Sequence, residues 1–248
     1  MSDQKATIPQ LGEEYTATAA EAAKFGYLVR ASELQQEQID KLVKLKSRIK
    51  GFKYGAIKAG NEDATNTLFH LQCGLNAQIS FLTMWILLKK GEYYDAWDAL
   101  IDAEEYISIA IRAADGGVGL DDFMDRLRSV EQVVFPGYGI YSSCGAIILG
   151  GRCTICGKPF SECDHIEGVV YWGQLCIRVK WEIVKLDHVA VVEEPRDRRC
   201  VVTELTTDDG WYRDYMTWQK TKKAEDKKEG TLGSFVSRVF NARLLEID

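Results

Sequence analysis

The chain has 248 residues, of which 46% are hydrophobic and 27% charged, with only four prolines and a formal net charge of -6. That composition excludes a disordered polymer, and the length is enough to bury a substantial core, divided by the usual domain size into two modest domains. The seven cysteines are an odd number, which argues against a secreted disulfide framework and in favour of metal binding in a reducing, cytoplasmic setting.

Residues 1–30 have neither the basic start nor the long apolar run of a signal peptide and are expected to form a partly disordered leader. From residue 31 the pattern is helical. Leu42, Leu45, Ile49 and Phe52 fall three, four and three apart, which lays them in one seam suited to pairing with another helix. The seam lies within a basic stretch, Lys41 to Lys58, that holds seven basic residues and no acid. Asn61, followed by Glu62 and Asp63, reads as the N-cap of the next helix.

That helix is expected to run to about Lys90 and to bury Leu68, Leu71, Leu75, Ile79, Leu82 and Ile86, with Gly91 as its stop. Its most apolar part, Ile79 to Leu88, has ten residues where a membrane span needs about twenty, so it reads as a buried helix. Ala96, Leu100, Ala103, Ile107, Ala110 and Ala114 form a stripe of small residues along the following segment, which predicts close antiparallel packing in a helical hairpin. Eleven acids lie between Glu92 and Glu131, giving the basic stretch a partner of opposite sign within the chain. Leu120 to Val134 adds one more amphipathic helix, and Pro136-Gly137 closes a helical domain spanning residues 31–135.

Beyond residue 135 the period changes to two. Strands are expected at Ile140–Leu149, Val169–Trp172, Gln174–Val184, Val189–Val192 and Cys200–Leu205, forming a small antiparallel β module over residues 136–208. Residues 209–248 read as a charged linker, KTKKAEDKKEG, and an amphipathic C-terminal helix with Leu232, Phe235, Val236, Val239, Phe240 and Leu244 on one face. The fold class expected is therefore α+β: an antiparallel helical domain, a metal-stapled β module and a terminal helix.

One stretch carries specific chemistry: Cys153 to His165, CTICGKPFSECDH. A Cys-x-x-Cys turn converges two sulfurs on one ion, and the following glycine relieves the tight backbone. Cys163 and His165 project two more donors to the same side if the backbone there is extended. Cys153, Cys156, Cys163 and His165 form a Cys3His set that suits a structural zinc ion, with Cys176 or His188 as alternatives for the fourth position. Four protein ligands leave no open place for a reacting water.

Three resemblances bear on this stretch. CTICGKPFSECDHIEGVVYWGQLC, followed by DHVAVVEEPRDRRC, resembles a compact CxxCG, CxH, GxxYxG, C module of uncharacterised phage and mobile-element proteins, which implies a zinc-stapled fold and no reaction. Asp164-His165-Ile166 downstream of a Cys-x-x-Cys is similar to HNH-type nucleases, which implies His165 as general base; the second Cys-x-x-Cys and the spaced Asn of that family are missing. His165-Ile166-Glu167 is similar to the His-x-Glu of zinc deaminases, but here it follows the Cys-x-x-Cys instead of preceding it.

The function expected is that of a non-catalytic, zinc-stabilised adaptor or assembly subunit that binds a protein partner. Lys44 and Arg48 on the basic helix, Trp211 and Trp218 in an aromatic cluster, and Phe235 and Phe240 on the terminal helix are the candidate partner-binding residues. Homo-oligomerisation through the helical domain is the accompanying expectation. Nucleic-acid binding by residues 41–58, through release of counterions from phosphates, is the alternative.

Overall fold

Thr7 and Gln10 form a capping box at the head of the first helix, α1 (Ile8–Ala23), and a proline in its first turn supplies a φ angle already suited to a helix. The computed structural model describes residues 7–27, 29–113, 119–224, 233–240 and 245. Most of the expected leader is therefore ordered helix, with Leu11 and Ala22 fully buried in the helical core. Two apolar contacts and a strong cap outweigh a segment otherwise made of small and acidic residues. Residues 1–6 lie outside the described residues.

The remaining helices are α2 (Ser32–Lys58), α3 (Glu62–Lys90), α4 (Tyr93–Ala113) and α5 (Leu120–Val134). The seam on α2 is as expected: Leu42, Leu45 and Ile49 are buried and Phe52 packs against them. Each such side chain is worth about 1.5–3 kcal/mol relative to exposure, so the seam alone accounts for a large share of the α2–α3 contact. Asn61 caps α3 by accepting the Ala64 N–H at 3.0 Å, and Gly91, at φ 80°, ends it in the left-handed region. Asn61→Ala is expected to cost about 1 kcal/mol, read as a lower midpoint in thermal unfolding of the whole chain.

α3 is long and apolar enough to cross a membrane by length and composition, yet 72% of its most apolar window is buried inside the protein. The burial has a cause in its neighbour: α4 turns Ala96, Ala99, Ala103 and Ala110 inward, and these short side chains let the two helix axes approach closely. Ala114, also expected on that stripe, and Gly116 and Gly117 lie outside the described residues.

Among the described residues, the regular elements that follow are one 3-10 turn and the strands β1 (Tyr141–Cys153), β2 (Val170–Tyr171), β3 (Gln174–Leu175), β4 (Arg178–Val192), β5 (Val202–Thr206), β6 (Trp211–Asp214), β7 (Lys220–Lys223) and β8 (Phe235–Ser237). The protein is thus mixed α+β, with its helices first. β1 pairs with β4, β2 pairs with β3 in a short antiparallel hairpin, and the last four strands form an antiparallel sheet in the order β7-β6-β5-β8.

Three expectations for this region change. The strand expected over Gln174–Val184 is interrupted at Cys176-Ile177, and its second part continues through Val189–Val192 as the single strand β4. The terminal helix is replaced, among the described residues, by β8, which pairs with β5 through Leu205 and Phe235. Helical spacing of Phe235, Val236, Val239 and Phe240 is equally compatible with a short edge strand and its exit, and an unpaired edge on β5 decides between them. Lys220–Lys223, read as linker, is the edge strand β7; lysines are a common guard for such an edge. The middle of the charge run, 225–230, and Leu232 and Leu244 lie outside the described residues.

The chain forms two compact units whose boundaries do not follow chain order. One gathers the helices up to Arg128 together with Gly150–Trp181, and the other takes Ser129–Leu149 and the segment from Glu182 to Leu244. The cysteine stretch therefore shares a unit with the helices and not with the C-terminal sheet. In the second unit, Tyr141, Cys200, Val201 and Val202 are buried, and Tyr138 stacks on Tyr215 at 4.9 Å between ring centroids.

Candidate metal centre

Cys153 closes β1, and a tight turn follows it. The Cys153 carbonyl accepts the Gly157 N–H at 2.9 Å, its own N–H donates to the Lys158 carbonyl at 3.0 Å, and the Ile155 N–H points at the Cys153 sulfur at 3.4 Å. Gly157 sits at φ 70°, a backbone that side-chain-bearing residues rarely adopt. This turn returns Cys156 toward Cys153. Pro159 then opens a single 3-10 turn, Phe160–Glu162, and Cys163 leaves it with extended backbone, φ -110° and ψ 147°. Side chains two apart on extended backbone share a side, which meets the condition for Cys163 and His165 to act together.

The three sulfurs and the His165 ring nitrogen converge within 4.8 Å of one another. Cys153 is buried, Cys163 and His165 are half-buried and Cys156 is exposed. Nδ1 of His165 is buried and has no hydrogen-bond partner among the described residues, while the ring stands edge-on to Tyr171 with centroids 4.8 Å apart. An orphaned ring nitrogen beside three thiols is the donor chemistry a metal ion satisfies. The arrangement is compatible with a metal site.

Of the two alternatives for the fourth position, the structure separates one from the other. Cys176 is fully buried, with its sulfur 3.7 Å from that of Cys153. His188 lies on β4 in the other compact unit, is exposed, and its Nδ1 faces the Asp187 carboxylate at 3.1 Å.

The electrostatics set the thiols apart. Burial opposes the Cys153 thiolate, but the N–H groups of Cys156 and Ile155 and the neighbouring thiols of Cys176 and Cys163 outweigh it and bring its pKa down to about 7. Burial pushes the Cys176 thiol up to about 12, helped by Cys153 and Cys163. Cys163 is raised in the same way, by burial first and then by Cys153. Several thiolates side by side repel one another, and a divalent cation is the ordinary means of holding them together.

The cysteine stretch is pinned to the helices through the β2–β3 hairpin. Its two turn residues, Trp172 and Gly173, have φ of 51° and 67°, the pair of positive angles that a two-residue type I′ hairpin requires. The Trp172 N–H donates to Glu62 at 3.2 Å and the Gly173 N–H to Asn66 at 2.8 Å, both on α3, while the Gly173 carbonyl accepts from Lys53 of α2 at 3.2 Å. Arg112 of α4 adds a bond to the Gly168 carbonyl at 3.1 Å. Lys53, one of the seven basic residues of the stretch from Lys41 to Lys58, is 3% exposed, with its ammonium 5.0 Å from the centre of the Phe69 ring.

The other candidate residues are dispersed. Lys44 and Arg48 are exposed on α2, where Arg48 pairs with Glu14 of α1. They line, with Glu21 and Lys41, a cleft of about 430 Å³ between those helices. The basic stretch thus meets acids of α1, a segment the sequence pattern did not single out as its partner. Trp211 is half-buried on β6 under the Lys220 ammonium at 5.1 Å. Trp218, in the β6–β7 turn at φ 59°, is exposed, with the Arg213 guanidinium 5.9 Å from its ring. Phe235 on β8 and Phe240 beyond it are about half exposed. His70 directs Nδ1 to the Ala110 carbonyl at 2.9 Å, a packing role between α3 and α4.

No protein-family model matches this sequence, and no curated protein or solved structure matches it either.

Proposed function

We propose that this is a non-catalytic, zinc-stabilised interaction protein, a cytoplasmic adaptor or assembly subunit of the kind found in bacterial and phage-related systems. The observation that carries this reading is the donor supply: Cys153, Cys156, Cys163 and His165 converge within 4.8 Å, as many donors as a tetrahedral zinc ion accepts. A metal so enclosed supports a fold and offers no position to an activated water. The exposed Trp218, Phe235 and Phe240 supply aromatic surface of the type that anchors protein partners. Val43, Tyr54 and Ile57, exposed along α2 at near-heptad spacing, support self-association through the helices. The setting in phage or mobile-element biology rests on the resemblance of the cysteine stretch.

The purified full chain is expected to contain about one zinc per chain by elemental analysis and to show no magnesium- or manganese-dependent cleavage of DNA. Cleavage that disappears in His165→Ala, with zinc retained, would establish the nuclease reading instead. Binding to DNA or RNA that weakens steeply with salt and with Lys44→Glu or Arg48→Glu would point to the nucleic-acid alternative.

A further inference from the structure

We propose that Cys176 is a ligand of the same ion, so that the metal is held by four thiolates, Cys153, Cys156, Cys163 and Cys176, with His165 alongside and not bound. This rests on the metal-binding reading above and refines its ligand set.

The argument is geometric. With zinc–sulfur bonds of about 2.3 Å, two sulfurs on a tetrahedral ion stand about 3.8 Å apart, and a sulfur and an imidazole nitrogen slightly less. Cys153 and Cys176 already stand at that separation, 3.7 Å. The group of Cys153, Cys156, Cys163 and His165 lies within 4.8 Å, a spread that covers its cysteine pairs as well as the histidine, so the 3.7 Å Cys153–Cys176 pair is the contact that already matches a tetrahedral edge.

Position adds to distance. Cys176 falls at the break between β3 and β4, and its backbone is clamped from both sides. Its carbonyl accepts from Gly168 at 2.8 Å and its N–H donates to Val169 at 2.9 Å. Thr154, inside the Cys153–Cys156 turn, bridges the residues on either side: its hydroxyl donates to the Leu175 carbonyl at 2.8 Å and accepts the Ile177 N–H at 3.0 Å. The Thr154 N–H reaches the Ile177 carbonyl at 3.2 Å. The turn that presents Cys153 and Cys156 is thereby locked in register with the segment that presents Cys176. The sulfur it presents is fully buried, facing Cys153. The His165 ring rests edge-on to the Tyr171 ring, with centroids 4.8 Å apart, and in a four-thiolate site it stands beside the ion.

X-ray absorption at the zinc edge of the zinc-loaded, unmutated full chain counts the donors without a variant. Four sulfurs at about 2.3 Å are expected; three sulfurs and one nitrogen overturn the proposal. Cobalt substitution gives an independent count through the sulfur-to-cobalt charge-transfer band. Cys176→Ser is expected to reduce that band from four thiolates to three and to weaken metal binding by more than the ~10–100-fold typical of losing an outer partner. His165→Ala is expected to keep four thiolates and to fall within that range. The reverse pattern, with Cys176→Ser unchanged and His165→Ala altered in its band, refutes it. Failure of the unmutated chain to bind zinc or cobalt at all removes the underlying metal reading and this refinement together.

Discussion

Chelation of the metal from the full chain is expected to unravel residues 153–177 while α2, α3 and α4 stay folded. That stretch contains two strands of two residues each and one 3-10 turn, and of its apolar side chains other than cysteine only Val170 and Leu175 are buried. Ordering backbone costs about 1–2 kcal/mol per residue, a total in the tens of kcal/mol that two aliphatic side chains and a few loop hydrogen bonds do not offset. Structural zinc supplies about 10–16 kcal/mol in small metal-folded peptides, the scale needed to close the gap. The helices have a separate core in Leu42, Leu45, Ile49, Leu68, Leu75 and Leu82. Hydrogen exchange followed by mass spectrometry, with and without chelator, distinguishes the two regions. The amides of Cys153, Gly157, Gly168 and Cys176 should exchange freely once the metal is gone, and those in α3 should remain slow. Unchanged protection across 153–177 would show that the hairpin stands without its ion.

Gly173→Ala is expected to destabilise the protein by about 2–4 kcal/mol while metal content stays at the level of the unmutated chain. A non-glycine residue in the left-handed region costs about 1–2 kcal/mol, and at φ 67° alanine incurs that first. The added methyl would then stand 2.6 Å from Cγ2 and 3.0 Å from the carbonyl oxygen of Thr65, contacts that force the hairpin tip away from α3. The bonds to Asn66 and Lys53 lengthen with it. The candidate metal donors lie outside the hairpin turn, at Cys153, Cys156, Cys163 and His165 before it and at Cys176 after it, so zinc stoichiometry is the control. Denaturant unfolding gives the loss of stability directly; a variant as stable as the parent would mean that the tip is not a fixed anchor.

Much of the helical half was legible in the sequence, because its signals are local. The seam on α2, the Asn61 cap, the Gly91 stop and the alanine stripe on α4 each depend on residues within a turn or two. The grouping of Cys153, Cys156, Cys163 and His165 was legible for the same reason: thirteen consecutive residues with ligand chemistry at short spacing. What escaped depends on distant partners. Helical spacing at Phe235 to Phe240 carried no sign that β5 would offer an edge. The basic run on α2 did not reveal that Lys53 faces Gly173 inside the protein while Arg48 faces Glu14 outside. Trp172-Gly173 reads as a turn in any sequence; its role as the peg that joins the cysteine stretch to α2 and α3 follows only from the fold.

That peg also sets an order of events during synthesis. Lys53 and the carbonyl it binds are 120 residues apart, so at about 5–20 residues per second roughly 6–24 s pass between their emergence from a ribosome. Through that interval α2 and α3 can already pair along their leucine seam, holding Glu62, Asn66 and Lys53 ready around a socket. The hairpin that fills the socket arrives later, together with the cysteine stretch, and its capture ties that stretch onto helices that have already paired.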